Sequence, residues 1–246
     1  MKKSWIAFLL FAVSAVAQDI RVAAASDLSF ALPEIAKSYE QKTGTKVQIS
    51  FGSSGNFFTQ IQNGAPFDLF FSADSDFPKK LEAAGQAEPG TLYRYAIGRL
   101  VLWVPNGSHL DLSKGMKALL DPAVKKIAIA NPKHAPYGRA AEAALRKSGI
   151  YDQISSKLVI GENISQTAQF VDTGNADIGL VALSLASSPT MKSRGRFVDV
   201  PRDLYPPLEQ SAVVIRSSNQ KEKARNFLKF MQEKSSQEIL RRFGFE

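Results

Sequence analysis

Four short corners hold the side chains most able to do chemistry. Ser26-Asp27-Leu28-Ser29, Gly52-Ser53-Ser54-Gly55, Asn131-Pro132-Lys133-His134-Ala135-Pro136-Tyr137-Gly138 and Gly161-Glu162-Asn163-Ile164-Ser165 each follow a strand-like apolar run and precede a helix-like stretch. A helix start leaves about four backbone N–H groups without partners and carries roughly half a positive charge. Several such starts converging on one point bind an anion without any lysine. Serine hydroxyls add donors that can rotate, and glycine lets the backbone approach closely. One such corner reads as simple N-capping, which serine does routinely. Four of the same kind make convergent anion binding a competing reading.

Other chemistries fit less well. A serine nucleophile at Ser53 or Ser54 needs a neighbouring base. Of the two histidines, His109 sits in a polar turn, whereas His134 lies in a proposed corner, so a secreted serine hydrolase is the minor alternative. Gly-Ser-Ser-Gly is not the G-x-S-x-G elbow of hydrolases. Asp68 and Asp74 flank an apolar strand and read as its cap and terminator; with Asp76 they make a poor cation site. Cysteine is absent, which removes disulfides, thiolate metal sites and cysteine nucleophiles. Neither a G-x-G-x-x-G nor a P-loop is present. The formal charge is +8, but Lys and Arg are scattered among acids with no basic run and interleaved aromatics, so nucleic acid is not an expected partner.

Positioning these corners takes alternating strands and helices. Strand-like runs cover Ile20–Ala25, Lys46–Phe51, Leu69–Ser72, Leu100–Val104, Lys126–Ala130, Lys157–Ile160, Ile178–Ala182, Arg196–Val200 and Ala212–Arg216. Helical spacing covers Phe30–Lys42, Phe57–Gln62, Arg139–Lys147, Gln166–Asp172 and roughly Lys221–Arg241. Pro33 must sit in a first helical turn, which predicts Ser29 as that helix's N-cap. Near-continuous apolar strands alternating with helices give an α/β fold with mostly parallel sheets covered on both faces. So many strands favour two sheets over one. The candidate crossings between them are the extended segments Leu92–Val104 and Asp199–Ile215. Residues 18–97 with 206–246 would then form one lobe, and 98–205 the other. At the N-terminus, Lys2 and Lys3, an apolar run from Trp5 to Val13 and Ala15-Val16-Ala17 read as a signal peptide, residues 1–17, cut before Gln18. The mature chain would carry 29 basic and 23 acidic residues, net +6.

The stretches AAASDL, FGSSG…QIQNGAPFDLFFSAD, IAIANPKHAPYGRAAEAALRKSG and GENISQTAQFVDTGNADIGLVALS resemble the molybdate-binding proteins of bacterial ABC importers, over nearly all of the mature chain. The resemblance implies a two-lobed, type II periplasmic binding-protein fold with the ligand in the cleft. It implies molybdate or tungstate as ligand, held by neutral donors with no direct metal ligation, no cofactor and no catalysis. It implies a periplasmic, single-chain carrier whose partner is a membrane permease. Carried over position by position, it assigns Ser26 and Ser54 through their hydroxyls, and Tyr137 and Ile164 through backbone N–H. Asp27 can offer its N–H while its carboxylate points away, and Ser53 stands second to Ser54. One branch of the family uses a tyrosine where this chain has Ala182, which brings no side-chain donor. A site lined only by donors suits an acceptor-only ion; the proton of hydrogen phosphate would face a donor there, at about 1–3 kcal/mol. Sulfate, thiosulfate and molybdate carry the same charge, so cavity size must separate them, and tungstate is expected to bind like molybdate. A buried dianion needs full hydrogen bonding, so at least one donor per ligand oxygen and closure of the lobes are expected.

Overall fold

The computed structural model describes residues 19–246; the expected signal peptide lies outside them. Ten strands form two sheets of five. The strands are β1 (Ile20–Ala25), β2 (Val47–Gly52), β3 (Leu69–Ser72), β4 (Tyr93–Gly98), β5 (Leu100–Pro105), β6 (Ile127–Ala130), β7 (Leu158–Gly161), β8 (Ile178–Ala182), β9 (Gly195–Asp199) and β10 (Leu208–Val214). The α-helices are α1 (Ala31–Thr43), α2 (Ser54–Gln62), α3 (Asp76–Ala83), α4 (Pro136–Lys147), α5 (Tyr151–Ile154), α6 (Ile164–Asp172), α7 (Leu183–Ala186), α8 (Pro189–Arg194), α9 (Lys221–Phe230) and α10 (Lys234–Arg242).

The sheets share one plan: β2-β1-β3-β10-β4 in the first and β7-β6-β8-β5-β9 in the second. In each, four strands share a direction and one is reversed, β10 in the first and β5 in the second. The chain passes from the first sheet to the second at Arg99 and returns between Asp199 and Leu208. Helices cover both faces of the first sheet. Tyr39 of α1 and Phe227 and Phe230 of α9 form an aromatic cluster on one side. On the other, Phe57 and Ile61 of α2 and Leu81 of α3 pack on Phe70 and Val213. The second sheet buries Trp103, Leu102, Ile127, Ile129 and Leu180 in the largest core cluster.

Three local expectations are corrected. Ser29 does not cap α1: the chain makes a 3-10 turn over Ser26–Leu28, Ser29 closes it by donating its N–H to Ser26 O, and Phe30 stands at the N-cap with no side-chain bond. The last helix is two, broken at Met231–Glu233, where Glu233 is extended. Phe227 and Leu240 sink into the same core, and a straight helix would carry them about 20 Å apart. α2 begins three residues earlier than its apolar spacing predicts, because Ser53 caps it.

Register places the corners side by side. Ala25 pairs with Gly52, so the first two corners leave the first sheet together. Ala130 pairs with Gly161, so the other two leave the second sheet together.

Candidate functional site

Each corner delivers donors by its own local rule. Ser53 is the N-cap of α2 and its Oγ accepts the Asn56 N–H at 3.4 Å. Ser54 is the first residue of the helix, 1% exposed. Its Oγ accepts the Ala73 N–H at 3.0 Å, which leaves its own proton free to donate. At α4, Ala135 is the N-cap and Pro136 the first helical residue. Proline is suited to that position because its missing N–H is not needed there. The first amide of that turn is therefore Tyr137's, at a position where the helix supplies no acceptor. At α6, Asn163 is the N-cap and accepts the Gln166 N–H at 3.0 Å, so Ile164 presents the leading N–H.

The six expected residues, Ser26, Asp27, Ser53, Ser54, Tyr137 and Ile164, line one cavity together with Ala25, Gly52, Ala73, Ala135 and Pro136. It is tight: the room for water in it is about 10 Å³, about that of a single water, so the four corners stand close together. No lysine or arginine lines it. Three α-helix starts and the free Ser54 hydroxyl therefore face a space that is positive by dipole and not by formal charge. Larger surface grooves exist; one, at Asp19, Arg21, Gln48 and Asp68, opens at the starts of β1 and β3, away from these corners. Among the described residues no cluster of His, Asp or Glu could hold a metal ion, and no helix is long and apolar enough to cross a membrane.

The two halves are clasped over the cavity. Ser26 Oγ donates to Asn163 Oδ1 at 3.1 Å, while the Ser165 N–H and Oγ donate to Ser26 Oγ and O at 3.2 and 2.8 Å. Ser184 Oγ donates to the Asp27 carbonyl at 2.8 Å. Gly55 N–H donates to His134 O at 2.8 Å, and Asn56 Nδ2 to Glu162 Oε1 at 2.7 Å. Arg139 of α4 pairs with Asp74 beyond β3, and its guanidinium lies 5.3 Å from the Phe77 ring centroid. Burial pushes the Asp74 carboxyl up from its ordinary value, partly offset by the Phe77 N–H and Arg139. Asp68 and Asp74 flank β3, but their carboxyls bond its neighbours: Asp68 accepts the Arg21 N–H of β1 and Asp74 the Phe77 N–H of α3.

The Arg139 clasp carries a prediction. Arg139 is partly exposed, so the pair contributes on the order of 1 kcal/mol, and it acts only when the halves meet. Arg139→Gln is expected to weaken ligand binding about 5-fold through faster release, with the unliganded melting temperature nearly unchanged. Stopped-flow fluorescence and a thermal melt read the two effects.

Asp27 behaves as its charge demands. Its carboxyl turns from the corner toward Gln210, whose Nε2 donates to Asp27 Oδ2 at 2.6 Å, and toward the Tyr137 hydroxyl. Asp27 Oδ1 is buried with no hydrogen-bond partner among the described residues. Burial raises this carboxyl to about 6 against weaker opposing hydrogen bonds. Ala182 is fully buried and does not line the cavity; two residues on, Ser184 reaches the first corner instead.

Sequence reasoning missed Asn163 as the bridge to Ser26, Gln210 behind Asp27, and the Arg139–Asp74 clasp. Asn163 had a readable signal, a capping residue three before Gln166. The His134 question is answered in geometry: Nδ1 lies 2.9 Å from Ser53 Oγ and Nε2 3.5 Å from Glu162 Oε1. That order resembles a nucleophile–base–acid chain, but Ser53 is held as a helix cap and Glu162 is exposed, so the third member lacks the buried, fixed geometry of an orienting acid.

A family model described as bacterial extracellular solute-binding protein matches residues 20–246. The chain is 39% identical over 236 residues to the molybdate-binding protein ModA of Azotobacter vinelandii, covering 96% of this chain and 93% of that one. It is 40% identical over 234 residues to the ModA of Rhodobacter capsulatus, covering 95% and 90%. The solved structure of the Azotobacter vinelandii periplasmic molybdate-binding protein superposes with a TM-score of 0.88 at 34% identity, covering 93% of this chain and 99% of that one.

Proposed function

The chain belongs to the bacterial extracellular solute-binding proteins, and from that premise we propose that it binds molybdate and delivers it to an ABC-type membrane importer. The observation that carries the reading is the cavity walled by three helix starts and the free Ser54 hydroxyl, with no cation in its lining. Residues 18–97 with 206–246 act as one lobe and 98–205 as the other, closing on the ion as single-chain carriers do. Ser54 donates through its hydroxyl, Ser26 by turning its proton from Asn163 Oδ1 to the ion, and Tyr137 and Ile164 through backbone N–H, with the Asp27 N–H beside them. Ser53 acts indirectly, by starting α2 and meeting His134. The site performs no catalysis; it holds the ion, excludes water and releases it to a permease at the membrane face of the periplasm.

Donor-only walls favour ions without protons, and rigid backbone corners favour one radius. Tungstate is expected to bind within a few-fold of molybdate. Sulfate, whose bonds to oxygen are shorter, and thiosulfate, which replaces one oxygen by a weakly accepting sulfur, leave donors under-satisfied, at about 1–3 kcal/mol each, and are expected at least tenfold weaker. Calorimetric titration of residues 18–246 with molybdate, tungstate, sulfate and phosphate tests this order. Tight sulfate binding with weak molybdate binding would overturn it.

A further inference from the structure

We propose that Asp27 is a proton-linked member of the binding site: the liganded protein holds its carboxyl neutral, so capture of a doubly charged oxyanion takes up one proton. This rests on the oxyanion reading above and adds to it a regulation by pH.

The geometry supplies the argument. Asp27 lines the same cavity as the proposed donors and is 1% exposed. It is the one formal charge in that lining. None of its hydrogen-bond partners is cationic: Gln210 of β10 gives an amide, and Tyr137 of α4 a phenol. Behind them stand Tyr95 of β4, which bridges Gln210 Oε1 and Ser72 O at 2.7 and 3.0 Å, and Tyr205, which faces Tyr137. Burial and the Asp27 charge push the Tyr95 and Tyr137 hydroxyls well above their ordinary values, so both stay neutral. Asp74, the next carboxylate, is taken up by Arg139. Ser184 of α7 reaches only the Asp27 carbonyl. An ionised Asp27 would thus lie buried behind the wall that faces a dianion and meet no positive charge. Its Oδ1 is buried and receives no hydrogen bond, so nothing on that side stabilises the ionised form.

The carboxyl is already shifted to about 6 by burial, and a nearby dianion disfavours its charged form further. The sign follows. At neutral pH the free protein is mostly ionised at Asp27 and the complex is not, so binding consumes a proton and weakens as pH rises.

Calorimetry of molybdate binding in buffers of differing ionisation enthalpy reads proton uptake directly in the unmutated protein. Uptake close to one proton per ion is expected above neutrality, with Kd rising about tenfold from about pH 7 to pH 8. Asp27→Asn keeps the shape and the acceptor for Gln210, and is expected to bind molybdate with a flat pH profile and no uptake. Buffer-independent heats with tight binding, or an unchanged pH slope in Asp27→Asn, would overturn the proposal. Absence of any molybdate binding by the unmutated protein at every pH would instead overturn the oxyanion reading.

Discussion

Gly55→Ala is expected to weaken molybdate binding about a hundredfold or more while leaving the unliganded protein folded and equally stable. A Cβ at Gly55 would stand 2.7 Å from His134 Cβ and O and 2.8 Å from its Cα. Two of those atoms are backbone, so no rotamer change relieves the clash. The Gly55 N–H also donates to His134 O at 2.8 Å. Gly55 belongs to the first half and His134 to the second, so the methyl group matters only when the halves close. Its φ is not positive, and alanine in a helix is favoured over glycine by about 0.5–1 kcal/mol. The melting temperature without ligand should therefore hold or rise slightly. Overpacking costs of about 1–3 kcal/mol, together with the lost hydrogen bond, fall on the closed state alone. Calorimetry paired with melts in the presence and absence of molybdate separates the two states. Unimpaired affinity would mean that ligand is held without this close approach.

Ser54→Ala is expected to raise Kd about 10- to 150-fold. A hydrogen bond to a charged group contributes about 1.5–3 kcal/mol, and each factor of ten is about 1.4 kcal/mol. The change also strips the buried Ala73 N–H of its acceptor, so some loss of stability accompanies it. Ser53→Ala is the contrast. It removes a helix cap, at about 1 kcal/mol of stability, and the bond to His134, but no proposed ligand donor. Titration of both variants should show the larger affinity loss at Ser54 and a comparable or larger melting shift at Ser53. The reverse ranking would assign the ion-binding hydroxyl to the wrong serine.

The four corners were legible because each lies where an apolar run gives way to glycine, serine or proline and then to helical spacing. Those patterns are local, and β1, β3 and β8 match their apolar runs residue for residue. β4 read only as part of an extended crossing, because its partner β10 lies more than a hundred residues away and the pairing carries a bulge. α3 escaped notice because Pro78 sits in its first turn and only Pro78 and Leu81 are buried. The role of Gly55 was half visible: its smallness was evident, but the surface it must clear comes from the opposite half. Gln210 had no signal at all. It is a single amide on a strand, and it matters because β10 carries it against Asp27 and Tyr137, two residues from distant corners.

β10 has a kinetic consequence. A chain made from its N-terminus onward holds every strand of the second sheet by Asp199, whereas the first sheet still waits for Leu208–Val214. The first sheet cannot be completed then: β3 lacks one neighbour, and β4 pairs with β10 alone. Joining Ser72 to Ser211 closes a loop of roughly 140 residues, the sort of distant pairing that slows folding. Until it forms, the edge of β3 is open to strands of other molecules. The later-encoded half is therefore expected to close sooner, and the exposed edge of β3 is the protein's main liability to aggregation until that one strand pairs.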